Sequence, residues 1–376
     1  MSVDRSAAPL APPRLREATF ADYPAIHRLE STFFEDSLTP DDRRSLFEAN
    51  PIWPRLRDGW PIGWVLEDED GAVVGSVNNI PSAYRLGDRE LICGNGHCWV
   101  VQEPYRGYAT MLMDEYFLQE GADLLVSAKV GADAAPVWSA YAQRVPVGDW
   151  STAAYAITRY RGFARAALRR KGVPLAGALA APVASALLLR DAVTAKALPD
   201  DPPSVEFGEV DGFDERFDAF WRELVAQQPG TLLGVRDAAT LRWHYGVPAR
   251  AGRLWTVTAV RDGLIRAYAV LKIHLRPQGL RTMKLVDFQT LDPDVDLLPG
   301  LVKRALRRAA AENCPFLEHH GCELPKLRAF DAIAGYRTAK PSWSFYYYTE
   351  DPMLEQRLAD PATWDPSEYD GDSSYK

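Results

Sequence analysis

Val100-Val-Gln-Glu-Pro-Tyr-Arg-Gly-Tyr-Ala109 is the stretch on which the fold turns. An apolar run ends at Val101, and a tight turn containing Gly107 follows. Ala109, Leu112, Met113, Tyr116 and Phe117 then fall at helical spacing. A strand feeding a glycine-containing turn at a helix start leaves backbone N–H groups unpaired. With the positive end of the helix dipole, those amides form a socket for a phosphate-bearing ligand. Gly107 lets such a ligand come close, and Arg106 adds fixed charge. The alternative is an ordinary strand-to-helix turn of an α/β protein.

Working outward, the chain repeats one plan. Trp64–Leu66 runs into Glu67-Asp-Glu-Asp-Gly71, alternation continues from Val73 to Leu86 and breaks at Gly87-Asp88, and a third run spans Leu91 to Val101. Trp255–Val260, Arg261-Asp-Gly263, Leu264 to Leu275, Gln278-Gly279 and Thr282 to Thr290 follow the same order. Gly71 to Gly263 and Gly87 to Gly279 are both 192 positions apart. Asp-Gly and Gly-Asp breaks between alternating runs predict antiparallel hairpins. Each third strand is followed by a helix (109–120; 297–311), a short strand (Leu124–Ala128; Phe316–His319), a second helix (134–143; 324–334) and a final aromatic or β-branched strand (Ala153–Tyr160; Trp343–Tyr348). Repetition on this scale predicts two similar α/β (α+β) domains. The organisation expected is a flexible tail at 1–13, a first domain at 14–160, a linker with an apolar helical insertion at 161–204, a second domain at 205–350, and an acidic extension on the surface at 351–376.

This pattern resembles the GNAT superfamily of acyl-CoA-dependent N-acyltransferases, in tandem. Leu15-Arg-Glu-Ala-Thr19 with Asp22 and Ile26 looks like the family's opening strand and helix. Pro104-Tyr-Arg-Gly107-Tyr-Ala109 is similar to its pyrophosphate loop, with Gly107 and Ala109 at the two small positions and Pro104 in place of the usual Gln or Arg. Gly335-Tyr336 before an aromatic strand resembles the closing Gly-Phe of a second, degenerate copy. There the phosphate loop reads Asp292-Pro-Asp-Val-Asp296, whose carboxylates repel a diphosphate. The resemblance implies two mixed, mostly antiparallel twisted sheets flanked by helices. It implies acyl-CoA, acetyl-CoA or another, as co-substrate of the first domain, held by Trp99, Val100, Val101, Arg106, Gly107, Tyr108, Ala109 and Thr110. It implies direct attack by an acceptor amine, and no metal. An amino sugar or natural-product amine is the acceptor by analogy alone. The rivals are a Fem-like aminoacyl-tRNA-dependent ligase and an inactive CoA- or nucleotide-binding module.

Acyl transfer to an amine needs a proton acceptor and a protonated thiolate leaving group. His97 is the first candidate base, on a strand face shared with Cys93, Asn95 and Trp99 by period two. Glu103 lies beside the loop, a poor place for the base. The family places an acid-donating tyrosine on the helix after the fifth strand, and Tyr141 in Ala135-Pro-Val-Trp-Ser-Ala-Tyr141 occupies that position, with Trp138 one turn earlier. Trp53, Arg55, Arg57, Trp60 and Trp64 form an aromatic and cationic acceptor loop, and Trp53, Arg55, Trp60 and Asn95 are the substrate candidates. A loop anchored on the core by its tryptophans is the alternative. Arg242-Trp-His-Tyr245 and Asp287 are further candidates from the second half, while His319-His320 face opposite ways on a strand and do not share a metal.

Composition bounds the rest. The chain has 376 residues, 47% hydrophobic and 25% charged, with a net charge of −8, which speaks against a general nucleic-acid partner. Cys93, Cys98, Cys314 and Cys322 show no zinc-type spacing and suit buried thiols in a reducing cytoplasm. Residues 172–189 carry no charge, are flanked by Arg169-Arg-Lys171 and Arg190-Asp191, and contain Pro174 and Pro182. They predict a helical insertion packed on the protein, with peripheral membrane contact as the alternative.

Overall fold

The computed structural model describes residues 11–194, 198–276, 279–291, 297–322, 324–340, 343–372 and 374–376. Most of the N-terminal tail and the acidic stretch Asp292–Asp296 lie outside them. The first half contains β1 (Arg14–Glu17), α1 (Tyr23–Glu30), α2 (Pro40–Glu48), α3 (Trp53–Leu56), β2 (Gly63–Glu67), β3 (Val73–Leu86), β4 (Arg89–Val101), α4 (Ala109–Leu118), β5 (Leu124–Val130), α5 (Ala135–Tyr141), β6 (Gln143–Arg144) and β7 (Asp149–Ile157). A hairpin of α6 (Tyr160–Arg170) and α7 (Ala176–Thr194) joins it to the second half. That half contains β8 (Glu206–Val210), α8 (Glu215–Gln227), β9 (Leu233–Gly234), α9 (Ala238–His244), α10 (Gly246–Arg250), β10 (Leu254–Arg261), β11 (Leu264–Arg276), β12 (Leu280–Thr290), α11 (Leu298–Ala311), β13 (Phe316–Cys322), α12 (Arg328–Ile333), β14 (Tyr336–Ala339), β15 (Ser344–Tyr348) and α13 (Pro352–Leu358).

The four matched glycines sit at the two turns of each hairpin pair, and all are left-handed: Gly71 at φ 77°, Gly263 at 77°, Gly87 at 62° and Gly279 at 71°. Only glycine enters that region without steric cost, so the equal spacing records equal turns. Helix starts are sealed in the usual way. Thr39 accepts from the Asp42 amide ahead of Pro40, and Asp214 and Asp237 cap α8 and α9.

The strands form two mixed, mostly antiparallel sheets. The first runs β1-β2-β3-β4-β5-β15-β6, with β9 added to β3, and the second runs β14-β7-β13-β12-β11-β10-β8. The final strands are exchanged: β7 of the first half pairs with β13, and β15 of the second half pairs with β5. One apolar core then spans both sheets, joining Leu91, Leu124 and Val126 to Leu271, Leu285, Leu301 and Phe345. A separate aromatic cluster under α4 holds Trp64, Tyr116, Phe117, Trp138 and Tyr346.

The acidic C-terminal stretch does not lie on the surface as its composition suggests. Residues 367–372 and 374–376 pass between the sheets, with Glu368, Tyr369, Asp370, Ser374 and Tyr375 all buried. Its carboxylates tolerate burial because each finds a partner. Glu368 binds Lys129 at 2.7 Å and Lys284 at 3.2 Å, Asp370 lies 3.5 Å from Arg236, and Asp372 meets His97.

Candidate active site

In the first sheet β4 and β5 run parallel and in register only from Cys93–Asn95 to Leu124–Val126. Beyond that point β4 continues to Val101 and β5 to Val130 as a fork. A bulge accompanies the parting: Asn78 faces His97 but Ser76 faces Val100, and Cys98 takes φ 52°. The extra residue twists the strand and reverses the side-chain alternation beyond it. Trp99 therefore packs against the aromatic cluster under α4, while His97 meets Asp372 of the tail. The shared face expected for His97 and Trp99 is broken by that one inserted residue. Val100 and Val101 are buried.

The throat of the fork is filled. The Tyr116 hydroxyl donates to the Gly94 carbonyl at 2.9 Å, with the Val126 carbonyl at 3.5 Å. A Cβ on Gly96 would stand 3.2 Å from the Tyr116 ring and 3.3 Å from Trp138. The backbone edge left for an amide-bearing ligand is thus Trp99–Val101, beyond these rings.

At the wide end the expected loop is a 3-10 turn, Glu103–Tyr108, running directly into α4. Bonds to carbonyls three residues back use amides that the sequence left for an anion, and the Ala109 N–H donates to the Arg106 carbonyl. Arg106, Gly107 and Thr110 are exposed, and Tyr108 and Ala109 half-buried. No atom lies within 4 Å of a Cβ built on Gly107, whose backbone is not left-handed. The fold does not require glycine here, so the missing side chain leaves a bare approach to the turn. This corner suits a diphosphate in its open face and in Arg106, less well in its count of free amides and in the carboxylates of Glu103 and Asp68–Asp70 near Tyr105.

His97 is buried; its Nδ1 lies 2.8 Å from Asp372 Oδ2 and its Nε2 3.2 Å from Cys98 Sγ. Burial works against its proton, but Cys98 and the Asp372 carboxylate outweigh it and raise the imidazole to about 10. Burial likewise opposes the Asp372 charge, and the bond to His97 holds its carboxyl below the usual range. The imidazole is therefore held in its charged form in this arrangement. Asn78 Nδ2 donates both to the His97 carbonyl and to buried Glu30, which is paired with Arg43, so the backbone at His97 is fixed from α1. Lys129, paired with Glu368 of the tail, is pushed down to about 8 by burial, with Glu368 opposing.

Tyr141 points elsewhere. Its ring stacks on Phe117 at 4.7 Å and its hydroxyl donates to Asp114 on α4, a bond that raises its pKa. Trp138, one turn earlier, takes the place beside Gly96. A hydroxyl also reaches this cluster from the exchanged strand, where Tyr346 bonds Ser139 at 2.9 Å.

The acceptor-loop residues are largely structural. Trp60 is buried and donates to the Asn79 carbonyl at 3.0 Å, Trp53 packs on Phe47, and Arg55 pairs with Glu90. Asn95 is buried beside the tail, donating to the Ile80 carbonyl and Ser82, with its Oδ1 unpartnered. Asp287 is tied to Arg236 at 2.9 Å, Tyr268 and Ser367, and Trp243 and His244 bond to Leu46 and Ser374. His319 and His320 do face opposite ways, one toward Phe330 and the other toward Trp150 and Trp343. Among the described residues His319, Cys322 and Asp331 bring three ligand-type atoms within 4.8 Å of one another, and His319 Nε2 is already bonded to Asp331 at 2.8 Å. Reading the sequence missed Cys98, Tyr116, Lys129, Tyr346, Glu368 and Asp372.

No protein-family model and no curated protein sequence matches the chain. Solved structures do. A GCN5-related N-acetyltransferase from Anabaena variabilis matches with TM-score 0.50 and 10% identity, over 89% of this chain and 72% of that one. Saccharomyces cerevisiae N-myristoyltransferase with bound myristoyl-CoA matches with TM-score 0.55 and 11% identity, over 92% and 81%. The same enzyme with myristoyl-CoA and inhibitors gives 0.57 and 11%, over 92% and 82%. At such identities it is the fold that is shared: this chain carries the GNAT fold, built in tandem from two sheets that exchange their last strands.

Proposed function

We propose that the chain transfers an acyl group from acyl-CoA to the amine of a small molecule in its first lobe. The observation that carries this reading is the forked β4–β5 pair with His97 and Asp372 at its side, in a fold whose solved neighbours include one with bound myristoyl-CoA. Pantetheine amides pair with the Trp99–Val101 edge as an added strand would. Its diphosphate lies on the exposed Arg106–Thr110 turn. His97, which keeps its proton to about pH 10, donates to the departing thiolate, and Asp372 holds the ring and its charge. The acceptor amine enters neutral, and the proton it sheds on attack passes to solvent.

Isothermal titration of the full chain with acetyl-CoA and myristoyl-CoA tests the site. The Gly107→Asp variant should weaken binding about tenfold through charge and lost approach, with an unchanged melting temperature because nothing packs on Gly107. Equal affinity in the variant removes the turn from the site. The filling of the fork by Tyr116 and Trp138 favours a second reading, a CoA-binding module without turnover. Binding of both acyl-CoAs with no product across a panel of amines selects that reading.

A further inference from the structure

A cavity that shares no residue with the fork lies beneath α6. It offers about 950 Å³ between α6 and the second sheet. Arg165, Arg169, Arg170 and Lys171 enter from the helix, and Arg276 and Lys340 from the strands. Glu318, the one acid in the lining, is already bonded to Arg276 at 2.5 Å. No hydrogen bond or ion pair engages the side chains of Arg165, Arg169, Arg170 or Lys171 among the described residues. The floor is aromatic, with Tyr155, Phe163 and Phe316 in mutual ring contact at 5.3 to 5.8 Å.

The field in this cavity is visible in its titratable groups. His274 is driven down to about 2 by burial and then by Lys284, Lys272 and Arg276, with Glu368 the one carboxylate opposing. Lys340 is lowered by burial and by Arg276, Lys284 and Arg170 against Glu318. The basic surface continues round α6 through Arg159, Arg161 and Arg281. Such a concentration in a chain of net charge −8 is a local device, and it calls for an anion.

The partner helix supplies the second observation. Ala176, Ala180 and Ala184 of α7 are its buried residues, and they pack toward Ala164 of α6. Leu175, Leu179, Leu188, Leu189 and Val193 face outward, 44 to 79% exposed. A helix of a soluble surface buries its large apolar residues, and this one shows them. Although α7 is long and apolar enough to cross a membrane, it is pinned to the protein at its end: Asp191 accepts from Tyr160 at 2.9 Å and Tyr336 at 2.8 Å, and Arg190 lies over the Tyr336 ring. It lies along the protein, and Lys171 of the cavity is four residues from Leu175.

We propose that the cavity beneath α6 receives the phosphate headgroup of an anionic lipid while the outward leucines of α7 lie in the surface of the same membrane. Cations hold the phosphate, the aromatic floor takes the apolar part next to it, and α7 sets the depth. The site is separate from the acyl-transfer fork and does not rest on that reading.

Co-sedimentation of the full chain with vesicles tests it. Phosphatidylcholine vesicles containing about one third phosphatidylglycerol should bind at least about tenfold more protein than phosphatidylcholine alone. Leu188→Glu with Leu189→Glu, and separately Arg169→Glu with Arg170→Glu, should each abolish the difference while melting temperature and acyl-CoA affinity stay as in the parent. Equal binding to neutral vesicles, or no binding to either, overturns the proposal. Retained binding in the leucine variant removes α7, and retained binding in the arginine variant removes the cavity. Stabilisation by inorganic phosphate or glycerol phosphate without vesicle binding assigns the cavity to a free anion and overturns the membrane source.

Discussion

The two lobes share a plan down to their turns, yet their centres differ in kind. In each, the strand after the second hairpin turn pairs in parallel for three residues and then bulges, at Cys98 in the first lobe and at Val286 in the second. The first lobe lays Gly94-Asn-Gly-His-Cys98 along this stretch, and the second Leu285-Val-Asp-Phe-Gln289. One keeps its main chain free of large side chains of its own, with Tyr116 and Trp138 packed on Gly96 instead, and offers a titrating ring. The other covers it with large side chains and locks its single charge, Asp287, between Arg236, Tyr268 and Ser367. The same position in one plan thus holds a buried imidazole–carboxylate couple in one lobe and a locked structural ion pair in the other.

That contrast breaks or sharpens under substitution. Arg236→Ala should give the largest effect, a loss of about 3–5 kcal/mol, because it strands a buried carboxylate. Chemical denaturation measures it, and a change under 1 kcal/mol would show that the second centre is not structural. His97→Gln should cost about 10²–10³ in kcat while acyl-CoA affinity moves little; it also removes the partner of Asp372 and lowers the melting temperature, so turnover is measured well below that temperature. If turnover survives intact, the first lobe loses its claim to the chemistry. Gly96→Ala places a methyl against Tyr116 and Trp138 and should destabilise by about 1–3 kcal/mol.

Asp372→Asn should give the smallest change, a displacement of the pH profile. The parent imidazole stays charged until about pH 10. Without the carboxylate one of the two raising influences is lost, Cys98 remaining, and the value falls, so the alkaline loss of kcat should move to lower pH. The same shift bears on stability. A histidine raised from its ordinary value near 6.5 stabilises fully below that pH and loses its contribution as pH climbs toward 10. An alkaline limb at the parental position would sever Asp372 from His97.

Much of this architecture can be read in the chain, for definite reasons. Equal glycine spacing marked equal left-handed turns, and β4, the turn and α4 followed from local periodicity. The rest is non-local. Nothing near Ala153 or Phe345 states which sheet the strand joins, because an aromatic, β-branched strand satisfies either edge. Period two fails past Cys98 because a bulge adds a residue without a signature, and so Trp99 lies on the face opposite to the one its spacing predicts. Tyr141 and Trp138 differ by one helical turn, and which of them enters the fork depends on how α5 sits on the sheet. The tail reads as solvated because its partners, Lys129, Lys284, Arg236 and His97, lie far away in sequence.

The exchanged strands carry a consequence for synthesis. In the finished fold β4 fills one flank of β5 and residues 344–348 the other, so the native partner of that second flank is absent until late in synthesis. For most of translation the first sheet therefore presents an open hydrogen-bonding rim, the kind that recruits neighbouring nascent chains into aggregates. A truncation before β15 should leave that rim permanently bare, and expression of the first half alone is expected to yield inclusion bodies rather than a working lobe.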